Sequence, residues 1–184
     1  MTRLSRIVQD ALDQLEWQDE ITVDEAAGTS QLKTLVNLED QSCPVYIDTH
    51  EESDAISVFL YLPFCVKAAH YPEACMLVNA INAAARHGHL EIVAESGRIR
   101  LVVSAEVEGA NPTGLLVVRM LQCGQALLSH WIGALAAVAI SGRPAAAVLA
   151  EMTTPAAEGE PAVEGVEGAT PAPVDKPAAA RTLH

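Results

Sequence analysis

A chain of 184 residues, half of them hydrophobic, allows one domain of ordinary size, or one domain with a tail, and enough apolar bulk for a sizeable core. Its 24 acidic residues against 11 basic ones leave a net charge of −13. A surface that negative excludes nucleic acid and anionic membrane as partners, because phosphate is held by clustered Lys and Arg, and it suits proteins that present positive segments.

The first stretch, MTRLSRIVQDALDQL, places Leu4, Ile7, Val8, Ala11, Leu12 and Leu15 at helical spacing, with Thr2 in position to cap the helix. Gln9, Asp10, Asp13 and Gln14 interrupt any apolar core of the secretory kind, so a secretory leader is not expected here. Cys43, Cys65, Cys75 and Cys123 form no CxxC pair. The two observations together predict free thiols in a reducing, cytoplasmic setting.

An acidic connector, Gln18 to Gly28, follows and includes a short extended piece at Ile21 to Val23. Three strands come next. SQLKTLVNLED sets Leu32, Thr34, Val36 and Leu38 on one side, a turn is expected at Gln41 to Pro44, and PVYID is a short strand. In AISVFLYLPF, Ile56, Val58, Leu60 and Leu62 alternate with Ser57, Phe59 and Tyr61, and Pro63 ends the ladder because it lacks an N–H. A strand apolar on both sides has its second face covered by a helix of the same chain, or offers it to a partner.

The central helix begins near Pro72 and closes at Gly88, with Asn79, Asn82 and Arg86 along one side. HLEIVAESGRIRLVVSAEV then reads as a hairpin turning at Glu95-Ser96-Gly97. Asn111 is expected to cap a final helix from about Pro112 to Ile140. Arg119, Gln122, Gln125, Ser129 and His130 break its apolar run below the ~20 residues that a membrane span needs. From Arg143 onward the chain is Pro, Ala, Gly and Glu, too poor in bulk to offset its ordering entropy. The expected organisation is therefore a domain over 1–142 and a disordered acidic tail over 143–184.

Chemistry-bearing residues are few. His87 and His89 flank Gly88, with His70 a helix away, and a metal site wants three or four convergent ligands. A helix end followed by a strand does not oblige them to converge, and a His closing a helix suits the dipole. Cys75 sits in the first turn of a helix with no His or Lys spaced to serve as its base, so small buried thiols are the expectation. Asp19-Glu20, Asp24-Glu25 and Glu51-Glu52-Asp54 lie in turns and connectors, where solvated surface is the expected role. No catalytic residue, cofactor or metal is assigned. The candidate interface residues are Tyr46, Phe59 and Tyr61 on the second sheet face, with Asn79 and Asn82 on the central helix.

The order helix, three strands, helix, two strands, helix resembles the type III secretion chaperone-like fold. Met76 to Gly142 is similar, more closely, to the YbjN-like family, described as bacterial sensory transduction regulators. The residues that carry this are Asn79-Ala80-Ile81-Asn82, the hairpin HLEIVAESGRIRLVVSAEVEG, the closing Ile140-Ser141-Gly142, and SDAISVFLYLPF before the helix. The resemblance implies an α+β domain, a twisted antiparallel sheet of about five strands with three helices (α-βββ-α-ββ-α). It implies no established reaction, and a protein-binding role as chaperone-like or regulatory module, pairing with itself as a homodimer. The competing expectation is a small metal- or ligand-binding protein, or an enzyme, using His70, His87, His89 and the cysteines.

Overall fold

A computed structural model describes residues 1–38 and 40–153. Helix α1 (Arg3–Gln14) begins where expected, with Thr2 Oγ1 accepting from the Ser5 N–H at 3.3 Å, and it buries Leu4, Ile7, Val8, Ala11 and Leu12. Its free N-terminal amides gain a second partner from a distant turn: the Glu51 carboxylate accepts from the Leu4 N–H at 2.6 Å. Asp54 of the same turn pairs with Arg3. A negative charge at this end of a helix meets the positive pole of its dipole.

Among the described residues the sheet has six strands: β1 (Ile21–Asp24), β2 (Thr29–Leu38), β3 (Gln41–His50), β4 (Ala55–Cys65), β5 (His89–Ile92) and β6 (Arg98–Glu106). All neighbours are antiparallel and the spatial order is β1-β2-β3-β4-β6-β5. One strand more than expected is present. The short extended piece at Ile21 pairs with β2, Ile21 opposite Leu32, and becomes an edge strand. The turn expected at Gln41 to Pro44 is instead the start of β3, whose Cys43 and Val45 continue the buried series. Beyond Tyr61 the pairing of β4 with β6 slips before Cys65, with Pro63 inside the irregular segment, as a residue without an N–H requires.

After β4 a single 3-10 turn, Ala68–His70, leads into helix α2 (Tyr71–Ala84), which carries the chain past β6 to the edge strand β5. Helix α3 (Gly114–Ala139) is N-capped at Thr113, not at Asn111, and crosses α1 closely. A Cβ on Gly114 would fall 2.4 Å from the Ala11 backbone nitrogen, so only glycine admits that crossing. Lys67 Nζ donates to the Ile140 carbonyl at 2.8 Å, and the His70 ring sits 3.1 Å from the Ala139 carbonyl, so two basic groups close the negative end of α3. At Gly142 the chain turns with φ +69°, and a Cβ there would strike His70.

The folded unit does not stop at Gly142. A fourth helix, α4 (Ala145–Thr153), packs on α2 and α3, burying Ala145 and Val148. Glu73, in the first turn of α2, accepts from the Ala145 N–H at 2.7 Å and so holds the start of α4. The composition-based boundary misplaced residues 143–153, because an Ala-rich segment with one well-placed Val can dock on an existing apolar surface. The rest of the expected tail, 154–184, lies outside the described residues.

The helices supply core from one side of the sheet. Leu32, Val36, Val45, Ile47, Val58, Leu60, Ile99 and Leu101 point toward them and join residues of all four helices in one cluster. Tyr46, Phe59, Tyr61 and Val102 have the opposite strand parity and are not members of it.

Candidate functional site

Strand alternation decides what the second sheet face carries. The registers align Lys33, Tyr46, Phe59, Val102 and His89 in one row across five strands, and beside it the pair Leu35–Pro44 on β2 and β3 and the row Tyr61, Arg100 and Glu91 on β4, β6 and β5. Arg98 follows two residues further along β6. Side chains standing on one face in adjacent strands are close enough to interact, and here they interlock. The Tyr46 and Tyr61 rings meet edge to face at 5.5 Å. Arg98 lies over Tyr61 at 4.8 Å and Arg100 over Phe59 at 4.9 Å, while the Lys33 ammonium stands 5.8 Å from the Tyr46 ring. Such contacts contribute about 0.5–1 kcal/mol each where water reaches them.

Arg100 is held on three sides. It donates from Nε to Glu91 at 2.8 Å and from Nη1 to the Tyr61 hydroxyl at 3.0 Å, with its guanidinium over Phe59. His89 adds a 3.0 Å contact to the other Glu91 oxygen. Burial pushes the Glu91 carboxyl up, but hydrogen bonds and charge from Arg100 and His89 outweigh it and leave the group below its usual range. The ladder is thus a preorganised surface of half-buried aromatic rings bordered by cations. Leu35, 52% exposed, stands at one margin. Beside it an open depression of about 600 Å³ is lined by Lys33, Leu35, Pro44, Tyr46 and Arg98, with Asp19 and Thr34.

Tyr46, Phe59 and Tyr61 therefore come together, and no helix among the described residues covers them. The two asparagines do not join them. Asn79 is exposed on α2. Asn82 spends its amide on the edge of the sheet: Nδ2 donates to the Leu90 carbonyl at 3.0 Å, and Oδ1 accepts from the Leu90 N–H at 2.7 Å. Those are the groups of β5 that face away from β6, so one side chain stands in for a missing strand.

The histidines occupy three different places. His70 closes α3, His89 contacts Glu91, and His87 is exposed beyond α2. No three His, Cys, Asp or Glu converge among the described residues. Cys65 and Cys75 are exposed rather than buried, Cys123 is half-buried, and Cys43 is buried with its thiol pushed up to about 11 by desolvation. Glu51 and Asp54, expected to be solvated, tie down α1.

Sequence reasoning missed Lys33, Arg98 and Arg100. Their alternation with Leu32, Ile99 and Leu101 was visible, but their meeting with Tyr46 and Tyr61 depends on β6, not β5, being the neighbour of β4. That choice rests on the α2 crossover.

The profile of the YbjN family, whose description reads "Putative bacterial sensory transduction regulator", matches residues 5–137. Among solved structures the chain is similar to a HopA1–SchA chaperone–effector complex, at 16% identity and a TM-score of 0.48 over 68% of this chain and 89% of that one. It is also similar to YbjN from E. coli, at 15% identity and a TM-score of 0.43 over 66% and 82%. No curated protein matches.

Proposed function

Since the chain belongs to the YbjN family, we propose that it is a non-enzymatic protein-binding module, regulatory or chaperone-like, acting in the cytoplasm through the open face of its sheet. The observation that carries this reading is the ladder of Tyr46, Phe59 and Tyr61 interleaved with Lys33, Arg98 and Arg100, on the side of the sheet away from the helices. Aromatic residues and Arg are the side chains that concentrate binding energy at protein interfaces, and rings already held by their neighbours lose little freedom on binding.

A second copy of the chain is one partner in this reading. Face-to-face pairing of two open sheets would set Lys33, Arg98 and Arg100 against their own kind. A homodimer therefore uses the helical side, where Leu115 and Ile140 are 49% and 39% exposed. Light scattering at micromolar concentration gives the mass of a pair if this is so, and the mass of one chain if it is not.

The binding reading is tested with three immobilised full-length chains exposed to the same native lysate: the natural sequence, Phe59→Glu on the open face, and Leu115→Glu on α3. Proteins retained by the first and third and lost from the second support the open face as the binding surface. Equal retention by all three contradicts it.

A further inference from the structure

We propose that the open sheet face takes an acidic peptide segment of another protein, with carboxylates on Lys33 and Arg98 and an apolar side chain on Leu35, Pro44 and Tyr46 between them. The inference rests on the reading of that face as a protein-binding surface and names the chemistry of its partner.

The sign of the charge is the first argument. A chain of net charge −13 suits positive partners as a whole, but charge on the open face is sorted along the strands. Lys33, Arg98 and Arg100 gather over Tyr46, Phe59 and Tyr61. Asp48, level with Ser57, and Glu106, level with Ala55, stand toward the other end of β4, and Asp48 is bonded to Gln31. Two acids remain near the cations: Glu91, engaged with Arg100 and His89, and Asp19, at the border of the depression. Arg100 is thus neutralised within the fold. Lys33 and Arg98 are not, since the ion pairs among the described residues engage Met1, Arg3, His89, Arg100 and Arg143 instead.

The rings decide which anion fits. Single-stranded nucleic acid stacks its bases on bare aromatic faces, and here the guanidinium of Arg98 lies over Tyr61 and that of Arg100 over Phe59. A guanidinium resting on a ring keeps N–H donors at its rim, in a fork that matches a carboxylate. The ring also holds the side chain in place, so less freedom is lost when the carboxylate arrives.

The depression supplies the apolar part. Lys33 and Arg98 both line it, so one ligand meets both cations, and Leu35, Pro44 and Tyr46 lie in the same lining. Leu35 is 52% exposed, an apolar group left for a partner to cover. At about 600 Å³ the space matches sites that hold a small ligand, about 300–1,000 Å³, so a short segment fills it. An apolar residue flanked by acids is the complement of this lining. A second copy of the same face would set cations against cations.

The test follows the fluorescence anisotropy of a short labelled synthetic peptide, a central Leu with two Glu on each side. It is titrated with the full chain and with full-chain Lys33→Gln, Arg98→Gln, Arg98→Lys and Arg119→Gln. The expected result is binding that weakens by about tenfold in Arg98→Gln, the loss of one charge-assisted hydrogen bond. Lys33→Gln should also weaken it, Arg98→Lys should restore part of the loss, and Arg119→Gln, exposed on α3, should leave it unchanged. The same peptide with Gln or Lys in place of Glu should bind at least about tenfold more weakly. Far-ultraviolet circular dichroism matching the natural chain shows that each variant is folded. No binding at concentrations up to about 1 mM, equal binding of the Gln or Lys peptide, or an equal loss in Arg119→Gln overturns the proposal. Tighter binding of a labelled single-stranded RNA, lost in Arg98→Gln, overturns it in favour of nucleic acid. If the acidic peptide fails while Phe59→Glu still abolishes lysate capture, the partner's chemistry is wrong and the binding face stands. If Phe59→Glu leaves lysate capture unchanged, the binding face itself fails.

Discussion

Asn82 and Cys43 show how much a single position depends on what lies across from it. The amide of Asn82 makes both of its hydrogen bonds to Leu90, the residue whose free backbone groups would otherwise be the open edge of the sheet. Asn82→Ala leaves a half-buried N–H and C=O without partners, which costs about 1–3 kcal/mol. Denaturant unfolding should show that loss, and hydrogen exchange at the Leu90 amide should accelerate with it. Unchanged stability together with unchanged exchange at Leu90 would mean that α2 and β5 hold together without the amide. Cys43, fully enclosed and pushed up to about 11, is a packing group, whereas Cys65 and Cys75 face solvent. In the sequence, Asn82 stood out as half of an amide pair, but its partner did not. Eight residues separate it from Leu90, and only the tight turn after α2 brings the two together. Cys43 was assigned to a turn and proved to be the first buried residue of β3.

At the scale of elements, the parts with strong periodicity were legible and the weakly patterned ones were not. α1, β2, β4 and the β5–β6 hairpin follow from alternation or helical spacing over many residues. β1 has only four residues and gains its place by pairing with β2, and α4 has just Ala145 and Val148 to bury. Composition spoke against α4, and what favours it is remote in sequence: the Glu73 carboxylate that receives its first amide, and the groove between α2 and α3. Truncation after Gly142 should therefore lower the melting temperature. Burying a Val side chain contributes about 1.5–3 kcal/mol, and each kcal/mol shifts a domain of this size by about 2–4 °C, so a loss of about 5 °C is expected by calorimetry. Equal melting temperatures for full length and the chain truncated after Gly142 would show that α4 contributes nothing.

For the molecule as described, residues 1–38 and 40–153, the decisive feature is asymmetry: four helices are spent on one face of the sheet, leaving cations and rings on the other. The surplus apolarity of β4 pointed to that face from the sequence, and Tyr46, Phe59 and Tyr61 were the residues it singled out. Their basic neighbours were hidden by topology, because β6 reaches β4 only after the chain has passed through α2 and β5. The central claim is that this face, and not the helical side, meets a protein partner. The most direct measurement is hydroxyl-radical footprinting of the full chain alone and in complex with whichever protein it retains from a lysate. The account predicts that oxidation of Tyr46, Phe59 and Tyr61 falls on complex formation while Met76 and Leu115 keep their free-state rates. Protection of Met76 and Leu115 with the three rings still reacting as in the free chain would contradict it.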